Sequence, residues 1–521
     1  MAATAQTVSL NAVWPFLPPA AELLRAANRF RRLIVCLPQH AVPQPDTAGL
    51  PAAAAARWHQ AFSAVSLEAA SLFRHLIDRC ELWLFPPQAA AHLNDYFSDG
   101  LCWQDTPIPQ QPAAAVKPWF RPPPPITPRR IAVIGAGIAG AACARILAEH
   151  GIGVTVWEAG KAAHAASGNR QGLLYAKISP HPTEQTELLL GAYGHTRRAL
   201  TRLLPDAGTW QPCGVLHLNH NAAEARRNAA LGRQTHHRHL YYPVDGAAAC
   251  RLAGIDGLSD GLFWPQGAWL HPPALIHALL DHPLITLSEH TPLQTAGYRN
   301  GLWHLSAPQN RLTASHIIFC TGADSPQIPL LHHLPWQLIR GQTNLAPADT
   351  RSSALKTALS GSSYISPAWQ GVHCFGATFH PHNNDRRLHP ADTAANLHDL
   401  SALYPDLAGR LNISDLARGH AAVRCDSPDH LPTVGPVGDA AAMRHAYARL
   451  ADDKNLPLQT ECPYLPGIWV SSGHGSRGLT TALWCAEALA ADLLGLPNPL
   501  SPRLRAALHP NRHPIRAIVR S

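Results

Sequence analysis

Gly135-Ala136-Gly137-Ile138-Ala139-Gly140 is a glycine spacing suited to holding a diphosphate. The first glycine permits a tight turn out of a strand. The second lets the backbone approach the diphosphate, and the third lets the following helix pack closely on the strand. The free N–H groups and positive dipole end of such a helix attract the anion. Glu158 stands eighteen residues beyond Gly140, where a carboxylate can accept hydrogen bonds from an adenosine ribose. An acid there speaks against a 2′-phosphate on the ribose. It does not separate a flavin dinucleotide from a nicotinamide one.

This chemistry needs elements to position it. Ile131–Ile134 reads as a short buried strand, residues 141–150 as a helix broken by Gly151, and Val154–Trp157 as a second strand ending on Glu158. Residues 317–323 (IIFCTGA) read as a strand running into Gly322. Residues 468–473 (IWVSSG) read as another, ending at Gly473 and followed by a loop with Gly475, Ser476 and Gly478 and a helix over 480–494. Strands and helices alternate from 129 to about 494, which predicts an α/β domain with a mainly parallel sheet.

The 521 residues suggest roughly three domains. Residues 1–105 are expected to hold strands at 33–37 and Glu81–Phe85. A helix is expected over 52–76, from the spacing of Trp58, Phe62, Val65, Leu67 and Ala70. Their only glycines, Gly49 and Gly100, form no phosphate loop, and the region is given no chemistry. Residues 106–128 carry Pro107, Pro109, Pro112, Pro118, four prolines at 122–125 and Pro128, which predicts a semi-rigid extended linker. The net charge of +8 suits a polyanionic partner or a solvated basic surface, and no dense basic run decides between them. Eleven cysteines without a CxxC pair fit reduced thiols. No export signal is read at the N-terminus, and no apolar run reaches the roughly 20 residues that span a bilayer, so a cytoplasmic protein outside the membrane is expected. His332-His333 and His380-Pro381-His382 lack a third ligand at metal-site spacing, so no metal is expected.

The segment 166–172 (ASGNRQG), with Ser167, Gly168, Asn169 and Gly172, resembles the stretch after the second strand in FAD-dependent amine oxidoreductases. These are the superfamily of D-amino-acid, glycine and sarcosine oxidases. The resemblance implies FAD as cofactor. It also implies a Rossmann-like FAD-binding domain with an inserted, mostly antiparallel α+β substrate domain, beside the small N-terminal region. The FAD domain is then expected at about 129–211, 263–325 and 416–500, the substrate domain at about 212–262 and 326–415, and a basic tail at 501–521. A helix beginning near Gly478 and Leu479 would aim its N-terminus at the flavin and favour its anionic reduced form.

A narrower resemblance covers about 130–515. Residues 166–172, 264–275 (WPQGAWLHPPAL), 422–434 (AVRCDSPDHLPTV), 475–479 (GSRGL) and 507–512 (ALHPNR) are similar to the oxidoreductase half of the bifunctional tRNA 5-methylaminomethyl-2-thiouridine biosynthesis enzymes. That implies removal of a carboxymethyl group, as glyoxylate, from 5-carboxymethylaminomethyl-(2-thio)uridine at the wobble position of tRNA. The product is the aminomethyl base. The alternative is an oxidase of free glycine- or sarcosine-like amines. Either substrate offers a carboxylate beside an amine, and a guanidinium is its expected partner. The resemblance points to Arg424 for that role, with Arg477 as second candidate and Arg340 near the flavin or framing the pocket. No general base is assigned, and His430 and His474 are candidates by position only. The family's methyltransferase half has no counterpart among residues 1–105, so methylation is not expected. That region is left to contact tRNA, to dock a separate methyltransferase, or to cover one face of the oxidoreductase. The tail, with Arg503, Arg505, Arg512, Arg516 and Arg520, is expected either to touch tRNA phosphate or to be a solvated end.

Overall fold

In a computed structural model, residues 10–521 are described apart from 39–43, 64, 67, 68, 126, 129, 207 and 410–417. Leu67 and the boundary residues 129, 415 and 416 named above lie outside the described residues.

Five parallel strands form the central sheet, in the order Ile285–Ser288, Val154–Trp157, Ile131–Ile134, His316–Phe319 and Tyr464–Ser472. Thr433–Gly438 closes one edge antiparallel. The central strands are near-continuous apolar runs because both faces are covered. Ile131, Val133 and Ile318 join the cluster that holds the helices Ile138–Glu149 and Gly478–Leu494. Ala132, Ile134, Ile317 and Phe319 face the opposite way, toward Trp303 and Leu305 of a three-stranded antiparallel sheet. This is a Rossmann-like α/β domain.

A second sheet of nine strands is antiparallel except where Val215–Leu218 runs parallel to Ala358–Ser360. Its longest strand, Gln337–Pro347, pairs with Val372–Gly376 on one side and Gly419–Asp426 on the other. Two of its strands correct the residue ranges expected above. Gly261–Trp264 pairs with Val215–Leu218, and Gly419–Asp426 with Gln337–Pro347, so both belong to this sheet. Local alternation cannot tell which of two sheets will accept a strand's hydrogen bonds.

The N-terminal region is more regular than its sequence suggests. Asn11–Trp14, Arg32–Cys36, Glu81–Phe85 and Cys102–Trp103 form a parallel sheet, with Ser71–Phe73 antiparallel at one edge. The helix expected over 52–76 ends at Phe62, and its expected C-terminal part contains the strand Ser71–Phe73. The alternation within the strands assigns the two faces. Ala12, Trp14, Leu33, Val35, Leu82 and Leu84 pack with Trp58 and Phe62 of the region's own helix. Val13, Ile34, Cys36, Trp83 and Phe85 join the core of the Rossmann-like domain. The seam is also charged. Partly buried Arg74 pairs with Glu487 at 2.7 Å, and His75 Nε2 lies 2.8 Å from Glu149. The region thus covers one face of the Rossmann-like domain with an apolar sheet face.

The proline-rich stretch lies docked rather than free. Trp119 is buried against Tyr447, and the carbonyls of Trp119 and Arg121 accept from Asn511 Nδ2 at 2.9 Å and Tyr464 Oη at 2.7 Å. The basic tail is ordered. It forms two helices, Pro502–Leu508 and Arg512–Arg520, and four of its arginines meet carboxylates. Arg512 and Arg516 share Asp429, Arg505 pairs with Asp492, and Arg503 with Glu184. Arg505 and Arg512 are held in largely buried pairs, while Arg503 and Arg516 remain about half exposed, a difference that charge counting along the sequence could not show. Among the described residues no helix is long and apolar enough to cross a membrane.

Candidate active site

A cavity of about 1600 Å³ opens between the two sheets. Typical small-molecule pockets measure about 300–1,000 Å³, so a dinucleotide and a second reactant both find room. The glycine loop forms one end. Gly135 has φ +103°, and a Cβ there would stand 2.5 Å from the Cys320 carbonyl oxygen. A Cβ on Gly140 would fall on the carbonyl oxygen of Gly135, so the helix Ile138–Glu149 starts hard against the strand that precedes it. Its N-terminus faces the cavity, with Ile138 N donating to Ser167 Oγ at 3.1 Å. Both Glu158 carboxylate oxygens accept backbone N–H bonds, from Ala136 at 2.8 Å and Gly160 at 2.9 Å, which fix it at the cavity edge.

The second helix arrives from the far end of the chain. Gly478–Leu494 begins beside the first helix, and a Cβ on Gly478 would lie 3.1 Å from Ile138. A Cβ on Gly172 would collide with Leu479. Two helix N-termini therefore converge on one cavity, which suits a ligand with a diphosphate at one end and an electron-rich ring at the other.

Gly135, Gly137, Ile138, Ala139, Glu158, Ser167, Asn169, Gly172, Gly322, Arg424, Gly473, Gly475, Ser476, Arg477, Gly478 and Leu479 all line the cavity. Ala136, Gly140 and Gly168 sit behind this wall. A Cβ on Gly168 would meet the Ala163 carbonyl and His420 Cε1, within 2.9 Å of both. The cradle of glycines fits FAD. Arg340 is the correction. It is 1% exposed, points away from the cavity, and pairs with Asp392 while donating to the Arg387 carbonyl at 2.6 Å. Its neighbour Gly341 lines the cavity instead, because alternate residues of a strand face opposite sides.

Arg424 lies on the strand Gly419–Asp426 with its guanidinium spread over Gly341, whose missing Cβ makes the room. Its one contact is a long bond to the Thr378 carbonyl, at 3.4 Å, and among the described residues no carboxylate pairs with it. Burial pushes its pKa down, partly opposed by nearby Tyr364. Arg477 is also pushed down by burial, against the pull of Asp426 and Tyr175. His474 is held down to about 4 by burial. Its Nδ1 lies 2.8 Å from Thr481 Oγ1 and its Nε2 3.2 Å from Ser471 Oγ. It is neutral at physiological pH, with both nitrogens engaged. His430 is half-exposed, with Nδ1 2.8 Å from Asp426.

The sequence reading missed three side chains in the cavity. Tyr364 Oη donates to the Gln171 carbonyl at 2.9 Å and accepts from Asn169 Nδ2 at 2.8 Å. Tyr175 Oη lies 2.7 Å from Ser360 Oγ, and Lys177 Nζ stands 3.5 Å from Glu224. Tyr175 and Lys177 are two apart on an extended stretch, so they share a face. That spacing was the one available signal, and only after the stretch beyond Gly172 is known to enter the cavity. Among the described residues no group of three or more His, Cys, Asp or Glu side chains could hold a metal ion.

One prediction follows from the cradle. Gly140→Ala forces the helix off its strand, so the purified protein should lose most of its flavin absorbance per chain. Full FAD content in that variant would show that the close approach is dispensable.

Comparison with known proteins agrees with this geometry. Residues 130–492 match the family model described as FAD dependent oxidoreductase. The tRNA 5-methylaminomethyl-2-thiouridine biosynthesis bifunctional protein of Chromobacterium violaceum is 43% identical over 410 residues, 77% of this chain and 62% of that one. Its counterpart from Pseudomonas syringae pv. tomato is 41% identical over 413 residues, covering 78% and 62%. The chain therefore spans about three-fifths of the length of these relatives. Among solved structures, glycine oxidase from Geobacillus kaustophilus superposes with a TM-score of 0.58 at 20% identity, covering 74% of this chain and 99% of that one. Iminodiacetate oxidase from Chelativorans gives 0.56 at 19%, covering 71% and 97%. With the paired helix N-termini, the glycine cradle and a family match over 130–492, this chain belongs to the FAD-dependent oxidoreductase family.

Proposed function

We propose that this protein oxidises the carboxymethylaminomethyl side chain of a wobble uridine in tRNA, releasing glyoxylate and leaving an aminomethyl group on the base. The observation that carries the reading is Arg424, a half-buried guanidinium facing the cavity with no acidic partner among the described residues. A desolvated cation of this kind calls for a carboxylate from outside the protein. The names of the relatives at 41–43% identity supply the RNA.

FAD, when bound, supplies the two-electron acceptor for the carbon between carboxylate and amine. The protein does the rest by placement. Arg424 holds the carboxylate in a bidentate fork, and Arg477 adds positive charge near the flavin. With FAD bound, Gly135, Gly137, Ile138 and Ala139 would cradle the diphosphate beside Ser167 and Asn169, and Glu158 would meet the ribose. The start of the helix Gly478–Leu494, with Gly473, Gly475, Ser476 and Leu479, would offer its positive dipole end to the bound flavin. Neutral His474 adds no charge to repel an ammonium. Two-electron oxidation of the C–N bond gives an imine, and water then cleaves it to glyoxylate and the amine.

Arg424 would serve the carboxylate of free glycine or sarcosine equally well, so an oxidase of such amines is the second reading. No methylation is proposed. The described strand–helix junction after Asn11–Trp14 reads Pro15-Phe16-Leu17-Pro18-Pro19, without a glycine to approach S-adenosylmethionine. A separate methyltransferase would then act on the product, and the cytoplasm is the compartment that fits a tRNA substrate.

The test incubates purified holoenzyme with tRNA bearing carboxymethylaminomethyluridine and analyses nucleosides by mass, with glycine and sarcosine assayed alongside. Conversion to aminomethyluridine without turnover of the free amines is expected. Turnover of the free amines alone would replace this reading with the second. Adding S-adenosylmethionine should give no methylated base, and a methylated product would overturn that part.

A further inference from the structure

Six large apolar side chains are exposed among the described residues, and two of them, Phe379 and Leu388, lie together at the mouth of the cavity. Phe379 is the most exposed of the six, at 58%. Single exposed apolar residues are ordinary on a protein surface, so exposure alone carries little. Position carries more. Thr378, immediately before Phe379, presents the carbonyl that meets Arg424. Phe379 is therefore adjacent in the chain to the residue whose carbonyl meets the Arg424 guanidinium.

The segment bearing this pair is firmly anchored. Buried Arg340 pairs with Asp392 and donates to the Arg387 carbonyl. His380 Nε2 lies 2.7 Å from the other Asp392 oxygen. The Gln342 side chain donates to the His389 carbonyl at 3.0 Å and accepts from its N–H at 2.8 Å. The anchors hold the segment's base while Phe379 and Leu388 face solvent. Arg386, also on the rim, pairs with Asp324 through side chains about half exposed. An exposed pair of this kind is worth little and exchanges readily for another anion.

We propose that Phe379 is a stacking platform for the base of a nucleotide flanking the modified uridine, with Arg386 meeting the phosphate between them. This rests on the tRNA reading above. A base whose side chain must reach Arg424 inside the cavity leaves its own stack, and its neighbours lose a stacking partner. An aromatic face replaces that partner without regard to base identity. The pairing of an apolar ring with a releasable guanidinium suits single-stranded RNA, which presents bases and phosphates alternately.

The experiment uses FAD-loaded enzyme and two substrates: an anticodon stem-loop RNA bearing carboxymethylaminomethyluridine, and the same modified uridine as a free nucleoside. Fluorescence anisotropy gives Kd for the RNA, and anaerobic bleaching of the flavin gives the reduction rate with each. Phe379→Ala should raise the RNA Kd about 5- to 100-fold. It should leave the reduction rate at saturating RNA, and the response to nucleoside, near wild type. Phe379→Trp should hold RNA affinity within about twofold, because the larger ring stacks as well. Unchanged RNA affinity in Phe379→Ala would overturn the platform. An equal loss with RNA and nucleoside would overturn it too, since Phe379 would then belong to the substrate pocket. Wild-type enzyme that reduces its flavin with neither substrate would instead sink the tRNA reading, and the platform with it.

Discussion

Arg424→Ala is expected to keep its FAD and lose its substrate. The side chain lies apart from the glycine cradle, so flavin absorbance per chain should match wild type. Removing one partner of a desolvated, hydrogen-bonded charge pair costs about 2–5 kcal/mol. A fall in kcat/KM of about 10²- to 10³-fold follows, mostly through KM if the carboxylate is held equally before and during oxidation. Arg424→Lys should recover only part, because an ammonium cannot reproduce the planar fork. Gly341→Ala tests the same geometry without touching the arginine. A Cβ there would stand 2.6 Å from Arg424 Cζ, so the guanidinium must move. The same direction of change is expected, with a smaller loss. Wild-type kcat/KM in Arg424→Ala would remove the residue from the site, and normal kinetics in Gly341→Ala would show that its position is not critical.

Arg74→Ala should destabilise the whole protein, although Arg74 belongs to a region with no chemistry of its own. Its partner Glu487 is 3% exposed in the helix whose first turn faces the cavity. Burial pushes the Glu487 carboxyl above its ordinary pKa, and Arg74 pulls it back only in part. Taking Arg74 away leaves a buried carboxylate without its cation, at a cost of about 3–5 kcal/mol. A fall of several degrees in the denaturation midpoint is expected, together with weaker FAD retention. The pH dependence has a definite sign. A carboxyl whose folded pKa is raised binds more protons folded than unfolded, so its penalty is full above the folded pKa and fades as pH falls through it. The defect of Arg74→Ala should thus be larger at pH 8 than near the carboxylate range. Glu487→Gln placed on Arg74→Ala should recover part of the loss. If the two substitutions destabilise additively, with no pH dependence, the pair is not what holds this seam.

The seam also clarifies what residues 1–105 do. A parallel sheet must cover both faces. Here the region's own helices cover one, and the other rests on the helices that frame the cavity. Of the roles open from sequence, covering a face of the oxidoreductase is the one the packing supports.

How much of this was legible beforehand depended on distance along the chain. The strand–glycine loop–helix–strand unit from Ile131 to Glu158 is local. Its turn, its close approaches and its dipole follow from residue types in order, and the structure shows each where the sequence placed it. Hydrophobic runs likewise marked the strands at 317–319 and 468–472. The helix expected through Ala70 failed because Val65 and Ala70 are buried by contacts beyond the helix, and burial alone imitates helical spacing. Arg340 failed for a related reason. The segment was recognised, but a shift of one residue along a strand reverses the face, and Gly341 turned to the cavity in its place. The acids that pair with the tail arginines, Asp429, Asp492 and Glu184, could not be read beforehand because they lie far away in sequence or across a fold not yet known. By itself, then, the sequence determined the glycine turn with its flanking strands and helix and the α/β class, since both are written in short-range spacing. Only the tertiary structure decided which charges face the cavity, which sheet owns each strand, and how the N-terminal sheet is covered. Those outcomes rest on pairings between residues tens to hundreds of positions apart, which no local pattern encodes.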